Sequence, residues 1–127
     1  MNKTNKYREY IDSNPILKKS FDFSVDIIKL CKHVRIEHKE YSIADQLLRS
    51  GTSIGANANE AVMGSSRKDF INKMNISLKE AYETRYWILL LDSVGYIQNS
   101  EHFLGKIDEI IRMLMRIVKT SKKVIEN

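Results

Sequence analysis

Residues 46–61, QLLRSGTSIGANANEA, present three different faces when wound as a helix at about 100° per residue. Ile43, Leu47, Ile54, Ala58 and Ala61 fall on one apolar stripe. Leu48, Gly51 and Gly55 lie on one flank of it, where the backbone is bare. Gln46, Ser50, Ser53, Asn57 and Glu60 run down the other flank at alternating spacings of four and three. A helix with a core seam, a close-packing surface and a polar ladder needs neighbours on several sides. Each mid-helix glycine costs roughly 1 kcal/mol against alanine. Close approach of a neighbouring helix is the expected compensation, and a break near Gly51 is the alternative.

The rest of the chain supplies those neighbours. One proline and five glycines in 127 residues leave little room for turns and favour few, long elements. Residues 1–13 are polar apart from Tyr7, Tyr10 and Ile11, and are expected to form a loose, flexible arm with room for a helical turn. Residues 14–127 are expected to form one domain, large enough for a single core. Asn14-Pro15 opens a first helix over about 15–37, since asparagine caps free amides and proline suits the first turn. That helix carries two apolar stripes. One is Leu17, Phe21, Val25, Ile28 and Cys31; the other is Ile16, Phe23, Ile27, Leu30 and Val34.

Ser42-x-x-Asp45 resembles a capping box for the second helix, over about 43–62, which Gly64 stops. Ser66-x-x-Asp69 is a second such box, for a helix over about 67–94 closed by Gly95. Its core stripe is Phe70, Met74, Leu78, Ala81 and Ile88. Ser100 caps a fourth helix over about 101–125, with Leu104, Ile107, Ile111, Leu114, Val118 and Ile125 inward. Long helices joined by short loops imply antiparallel neighbours. The predicted fold is all-α, an antiparallel up-down-up-down four-helix bundle.

The third helix has a second apolar face. Ile76, Trp87, Leu90 and Val94 recur nearly opposite its core stripe, with Glu80 and Glu83 among them. A lone bundle leaves such residues in water, and an exposed apolar patch of that kind marks an interface. Self-association into a homo-oligomer is therefore expected, with burial under the N-terminal arm as the alternative. No apolar run approaches about 18 residues, so no membrane span is expected. The opening MNKTNKYREY lacks the apolar core of a secretion signal, and a cytoplasmic location follows as the default expectation. The lone Cys31 sits among apolar residues and reads as a buried, inert thiol.

Candidate chemistry is sparse. Arg112, Arg116, Lys119 and Lys123 recur at four, three and four along the outer face of the last helix, with no acid from 112 to 123. Such a stripe suits a phosphate backbone, which rewards several cations on one face through counterion release. The net charge of +5 permits an anionic partner. The plainer reading is that acid at the start of a helix and base at its end suit the helix dipole. Arg49, Lys73, Arg67 and Lys68 are secondary nucleic-acid candidates. The ladder from Gln46 to Glu60, with Glu80 and Glu83, could suggest a carboxylate metal site. However, the Glu-x-x-His motifs of di-iron bundles are absent, and no two histidines stand three or four apart. The ladder reads instead as hydrogen bonding between helices, with Lys79 and Arg85 at hand for Glu80 and Glu83. No nucleophile elbow, phosphate loop or dinucleotide fingerprint occurs, so neither enzymatic activity nor a cofactor is expected. Tyr82, Tyr86 and Trp87 could stack bases, but on so apolar a helix they read first as packing groups.

Three stretches together carry a resemblance: NPILKKSFDFSVDIIKL (14–30), QLLRSGTSIGANANEA (46–61) and SSRKDFINKMNISLKEAYETRYWILLL (65–91). They resemble the bacterial four-helix bundle proteins first noted in intervening sequences of 23S ribosomal RNA genes, in order and spacing, over about 14–120. Matching positions include Arg49, Ser50, Ser53, Asn57, Glu60, Asp69, Glu80, Glu83, Thr84 and Trp87. Ala61 departs from a commoner glycine and Asn59 from a commoner alanine. The resemblance implies a cytoplasmic bundle assembled into a ring, with a pentamer favoured. From relatives that serve as accessory proteins of diversity-generating retroelements, it also implies binding of structured RNA and a protein partner through basic surfaces. Two functions are thus expected in order: a non-enzymatic oligomeric bundle binding RNA, and failing that a protein-interaction scaffold with no nucleic-acid role.

Overall fold

The computed structural model describes residues 3–64 and 66–126. They form five α-helices and no strand: α1 (Lys3–Asp12), α2 (Pro15–His38), α3 (Ser42–Met63), α4 (Arg67–Ser93) and α5 (Ser100–Glu126). The helix beyond the expected four is α1, where an arm with room for a turn was the expectation. Residues 1 and 2 of that arm lie outside the described residues. Tyr7, Tyr10 and Ile11 stand at helical spacing, and that spacing lets one side of α1 dock. Tyr10 Oη donates to the Met63 sulfur at 3.6 Å, and the Arg8 guanidinium stacks 4.4 Å above the Phe21 ring.

The helix ends show which local signals held. Asn14 Oδ1 accepts from the amides of Ile16 and Leu17 at 3.2 and 3.4 Å, as its place before Pro15 requires. Ser66 Oγ accepts from the Asp69 amide at 3.0 Å. Gly95 closes α4 at φ +79°; its amide reaches Asp92 O and that of Tyr96 reaches Leu91 O, both at 2.9 Å. Those two bonds satisfy carbonyls the last turn leaves open. The Ser42/Asp45 box does not form. α3 starts one residue early, at Ser42, and Tyr41 gives it no side-chain cap. Glu40 Oε1 takes the Ile43 amide instead, at 2.8 Å, and Asp45 is drawn outward by Arg35.

Cross-helix contacts fix the topology. Ser20 lies opposite Gly55 and Ile27 opposite Gly51, so α2 and α3 are antiparallel. Ser77 to Ile54 and Thr84 to Ser50 set α3 against α4, and Arg85 to Asp108 sets α4 against α5. Lys19 to Glu109 and Asp26 to His102 close α2 on α5, also antiparallel. α2–α5 therefore make the expected up-down-up-down bundle, with α3 packed most closely on α4. α3 runs unbroken through both glycines, and its close neighbour on that flank is α2. A Cβ on Gly51 would lie 2.8 Å from Ile27 Cγ2, and one on Gly55 3.2 Å from Ser20 Oγ.

The core is built from Phe23, Ile27, Leu30 and Val34 of α2, Leu47 and Ile54 of α3, Met74, Ile88 and Leu91 of α4, and Ile107, Ile110 and Leu114 of α5. Only one of the two stripes on α2 enters it as a stripe. The other contributes Leu17 and Cys31, while Val25 and Ile28 stay exposed, because α2 meets only α3 and α5 along most of its length and α1 near its start. In α4, Met74, Ala81 and Ile88 are buried as expected, whereas Phe70 and Leu78 are half-buried at the edge. In α5, Ile107, Ile111, Leu114 and Val118 are buried, Leu104 is half-buried, and the side chain of Ile125 lies outside the described residues.

Candidate nucleic-acid interface

The inward residues of α5 fix which way its cations point. With Ile107, Ile111, Leu114 and Val118 buried, Arg112, Arg116, Lys119 and Lys123 come out exposed on the opposite side. The two acids nearest the stripe on α5 are engaged elsewhere. Asp108 pairs with Arg85 at 3.1 Å, and Glu109 takes Lys19 Nζ at 2.7 Å. The hydrogen bond from Lys19 holds the Glu109 carboxyl below the usual carboxylate range. The four stripe cations make no ion pair among the described residues.

Beside the stripe runs a shallow groove between α4 and α5, lined by Asn75, Leu78, Met115, Arg116, Lys119 and Lys122. Lys122 was not singled out from the sequence. Its wheel position lies towards α4 rather than on the stripe, and only the antiparallel pairing of α4 with α5 brings it to the groove. Tyr82 crosses the same seam and donates to the Met115 sulfur at 3.5 Å. Tyr82 and Tyr86, expected as packing groups, are 46% and 57% exposed.

The structure separates Arg49 and Lys73 from this surface and ties them into the α3/α4 seam. Arg49 pairs with Glu80 at 3.1 Å and with Glu83, while Lys73 pairs with Glu60 at 3.2 Å. Glu80 and Glu83 thus take their cation from α3, not from Lys79 or Arg85. The antiparallel register puts Arg49 level with them, and Arg85 is spent on Asp108. Arg67 and Lys68 open α4 at the end of the bundle where α5 finishes, and both are exposed.

The polar ladder joins α3 to α4 at selected rungs. Thr84 Oγ1 donates to the buried Ser50 hydroxyl at 3.0 Å, and Ser77 Oγ to Ile54 O at 2.7 Å. Trp87 Nε1 donates to Glu83 at 3.0 Å, which pins the indole along the seam. Ser53 and Asn57 bond within α3 instead, Ser53 Oγ to Arg49 O at 2.6 Å and Asn57 Nδ2 to Ser53 O at 2.8 Å. No group of three or more histidine, cysteine, aspartate or glutamate side chains is placed to hold a metal among the described residues. Along the expected assembly face, Val94 is 57% exposed, and Ile76, Trp87 and Leu90 are half-buried. Leu89, 43% exposed, widens the apolar surface of α4. No helix among the described residues is long and apolar enough to cross a membrane.

Cys31 is buried, its Sγ 3.3 Å from Ala44 O, and burial pushes its thiol up to about 11. The thiolate is the reactive form. Iodoacetamide at pH 8 is therefore expected to label Cys31 only as fast as the protein unfolds, with prompt labelling in denaturant. Labelling of the native protein as fast as a free thiol would show an open site instead.

A family model described as 23S rRNA-intervening sequence protein matches residues 12–116. Among solved structures, a protein of unknown function from the S23 ribosomal protein family of Bacteroides thetaiotaomicron is 47% identical, with a TM-score of 0.80. The match covers 82% of this chain and 98% of that one. No curated protein matches the chain.

Proposed function

The chain belongs to the 23S rRNA-intervening sequence protein family, and on that premise we propose that it is a non-enzymatic, cytoplasmic, oligomeric helical bundle that binds structured RNA through its basic surface. The observation that carries this reading is the unpaired cation stripe of α5. Arg112, Arg116, Lys119 and Lys123 are exposed together while the neighbouring acids are held in other pairs. Cations kept free in this way suit phosphate contact. The name of the family links it to a ribosomal RNA gene, which favours RNA among polyanions.

The assembly we propose is a ring, with a pentamer favoured, closed through Ile76, Trp87, Leu90 and Val94. What supports it is the apolar outer face of α4, where Val94 is exposed and Ile76, Trp87 and Leu90 are only half-buried. A ring would repeat the α5 stripe and turn several weak phosphate contacts into one strong site.

The test is the absorbance ratio at 260 and 280 nm of the protein purified at low and at high salt, with light scattering for mass. The expected result is a particle of several subunits that carries nucleic acid at low salt and releases it at high salt. A clean oligomer at both salts would sink RNA binding and favour a protein-interaction scaffold. A monomer at both would sink the ring.

A further inference from the structure

We propose that the α4/α5 groove takes an unpaired, single-stranded stretch of RNA, with Tyr82 as a stacking platform beside the phosphate-binding cations of α5 and Tyr86 as a second platform one turn beyond them. The inference rests on the RNA-binding reading above and specifies the form of the RNA. It starts from the register. Arg85 lies against Asp108 and Tyr82 against Met115, so α4 and α5 run antiparallel with Tyr82 level with the span between Arg112 and Arg116. An aromatic ring 46% exposed therefore stands beside Arg112 and Arg116, which make no ion pair among the described residues. Tyr86 follows one turn further along α4, level with Asp108 and beyond the cations, 57% exposed and edge-on to Trp87 at 5.1 Å between ring centroids.

The groove beside them is chemically mixed. Leu78 and Met115 supply apolar surface, Asn75 an amide, and Arg116, Lys119 and Lys122 positive charge. A duplex offers phosphates and groove edges but keeps its base faces stacked inside, so it would leave both tyrosines without a use. A single strand offers phosphates and open base faces at once. It is recognised by a positively charged groove interleaved with aromatic rings. Charge and ring placement thus favour the single strand.

The Tyr82 side of this surface is distinct from the proposed assembly face. On the helical wheel Tyr82 lies on the α5 side of α4 and Ile76, Trp87 and Val94 on the α3 side, with Tyr86 and Leu90 between them. Subunit packing through the α3 side leaves the Tyr82 side open.

The probe is a fluorescein-labelled RNA of about 12 nucleotides without self-complementarity, and the same strand annealed to its complement. Anisotropy titrations are expected to show tighter binding of the single strand. Tyr82→Ala should weaken single-strand binding about tenfold, from the loss of one stacked base, and Tyr82→Phe should restore it. Tyr86→Ala should act likewise with a smaller loss, and neither change should alter duplex binding or the salt slope. Light scattering on each variant separates a change of assembly from a change of binding. Equal affinity for both forms, with Tyr82→Ala silent, would overturn the stacking site while RNA binding stood. Binding of neither form would overturn both readings.

Discussion

Replacing Gly51 with leucine should destabilise the protein by about 3 kcal/mol, a fall of about 10 °C in the unfolding midpoint for a chain of this size. The site has no room: a bare Cβ there already lies 2.8 Å from Ile27 Cγ2 and 3.2 Å from Cγ1. Ile27 is fully buried and β-branched, so within a helix it has one strongly preferred rotamer and cannot swing aside. Either α2 moves off α3 or a rotamer is strained. Gly51→Ala should destabilise too, by about 1 kcal/mol net, because its Cβ meets that same contact with Ile27 and the roughly 1 kcal/mol of helix propensity it gains offsets only part of the cost. Ile27→Ala alone should cost about 2–5 kcal/mol through the cavity it leaves. The double variant Gly51→Leu/Ile27→Ala should cost less than the sum of the two by about 1 kcal/mol or more, since each change supplies what the other lacks. The measurement is thermal and denaturant unfolding of all four proteins at one protomer concentration, because assembly adds to apparent stability. Strict additivity would mean that Gly51 and Ile27 do not share a contact.

That contact was half legible in the sequence. Two glycines inside an otherwise helical pattern call for a close neighbour, and residue spacing places them on one flank. Which helix approaches depends on packing handedness and on how far α2 overlaps α3, neither of which spacing encodes. The same divide recurs elsewhere. The capping role of Asn14 was readable because a cap and the amides it meets are two and three residues apart. At Ser42, equally local logic failed because Arg35, ten residues away, competes for Asp45. α1 was missed because its signal is three residues, Tyr7, Tyr10 and Ile11, whose partners lie on α2 and α3. For the candidate site, the outward direction of the α5 stripe followed from where its apolar residues had to face. Whether a cation on that face is free or already paired is a matter of tertiary register. Hence Arg49 and Lys73 stand as secondary candidates on spacing alone, whereas the structure pairs both with carboxylates across the α3/α4 seam.

The difference between free and paired cations governs the largest binding effect expected. Changing Arg112, Arg116, Lys119 and Lys123 together to alanine should weaken RNA affinity on the order of a thousandfold at about 0.1 M salt, with the gap closing as salt approaches about 1 M. Each phosphate contact to a single strand contributes about 0.7 to the slope of log affinity against log salt, so the slope should flatten by nearly 3. Lys73→Ala should change affinity little, because it removes a charge that Glu60 already offsets. Arg49→Ala should also spare RNA binding, since the two carboxylates it uncovers lie on the far seam of α4. Arg112→Lys/Arg116→Lys tests the nature of the contact. Retained affinity would assign it to charge alone, whereas a loss approaching that of the alanine changes would assign it to the bidentate fork of guanidinium on phosphate. The four positions are exposed and make no ion pair among the described residues, so their removal should leave helicity and unfolding midpoint unchanged. Full affinity in the quadruple alanine variant, in a folded protein of unaltered mass, would remove the α5 stripe from the mechanism.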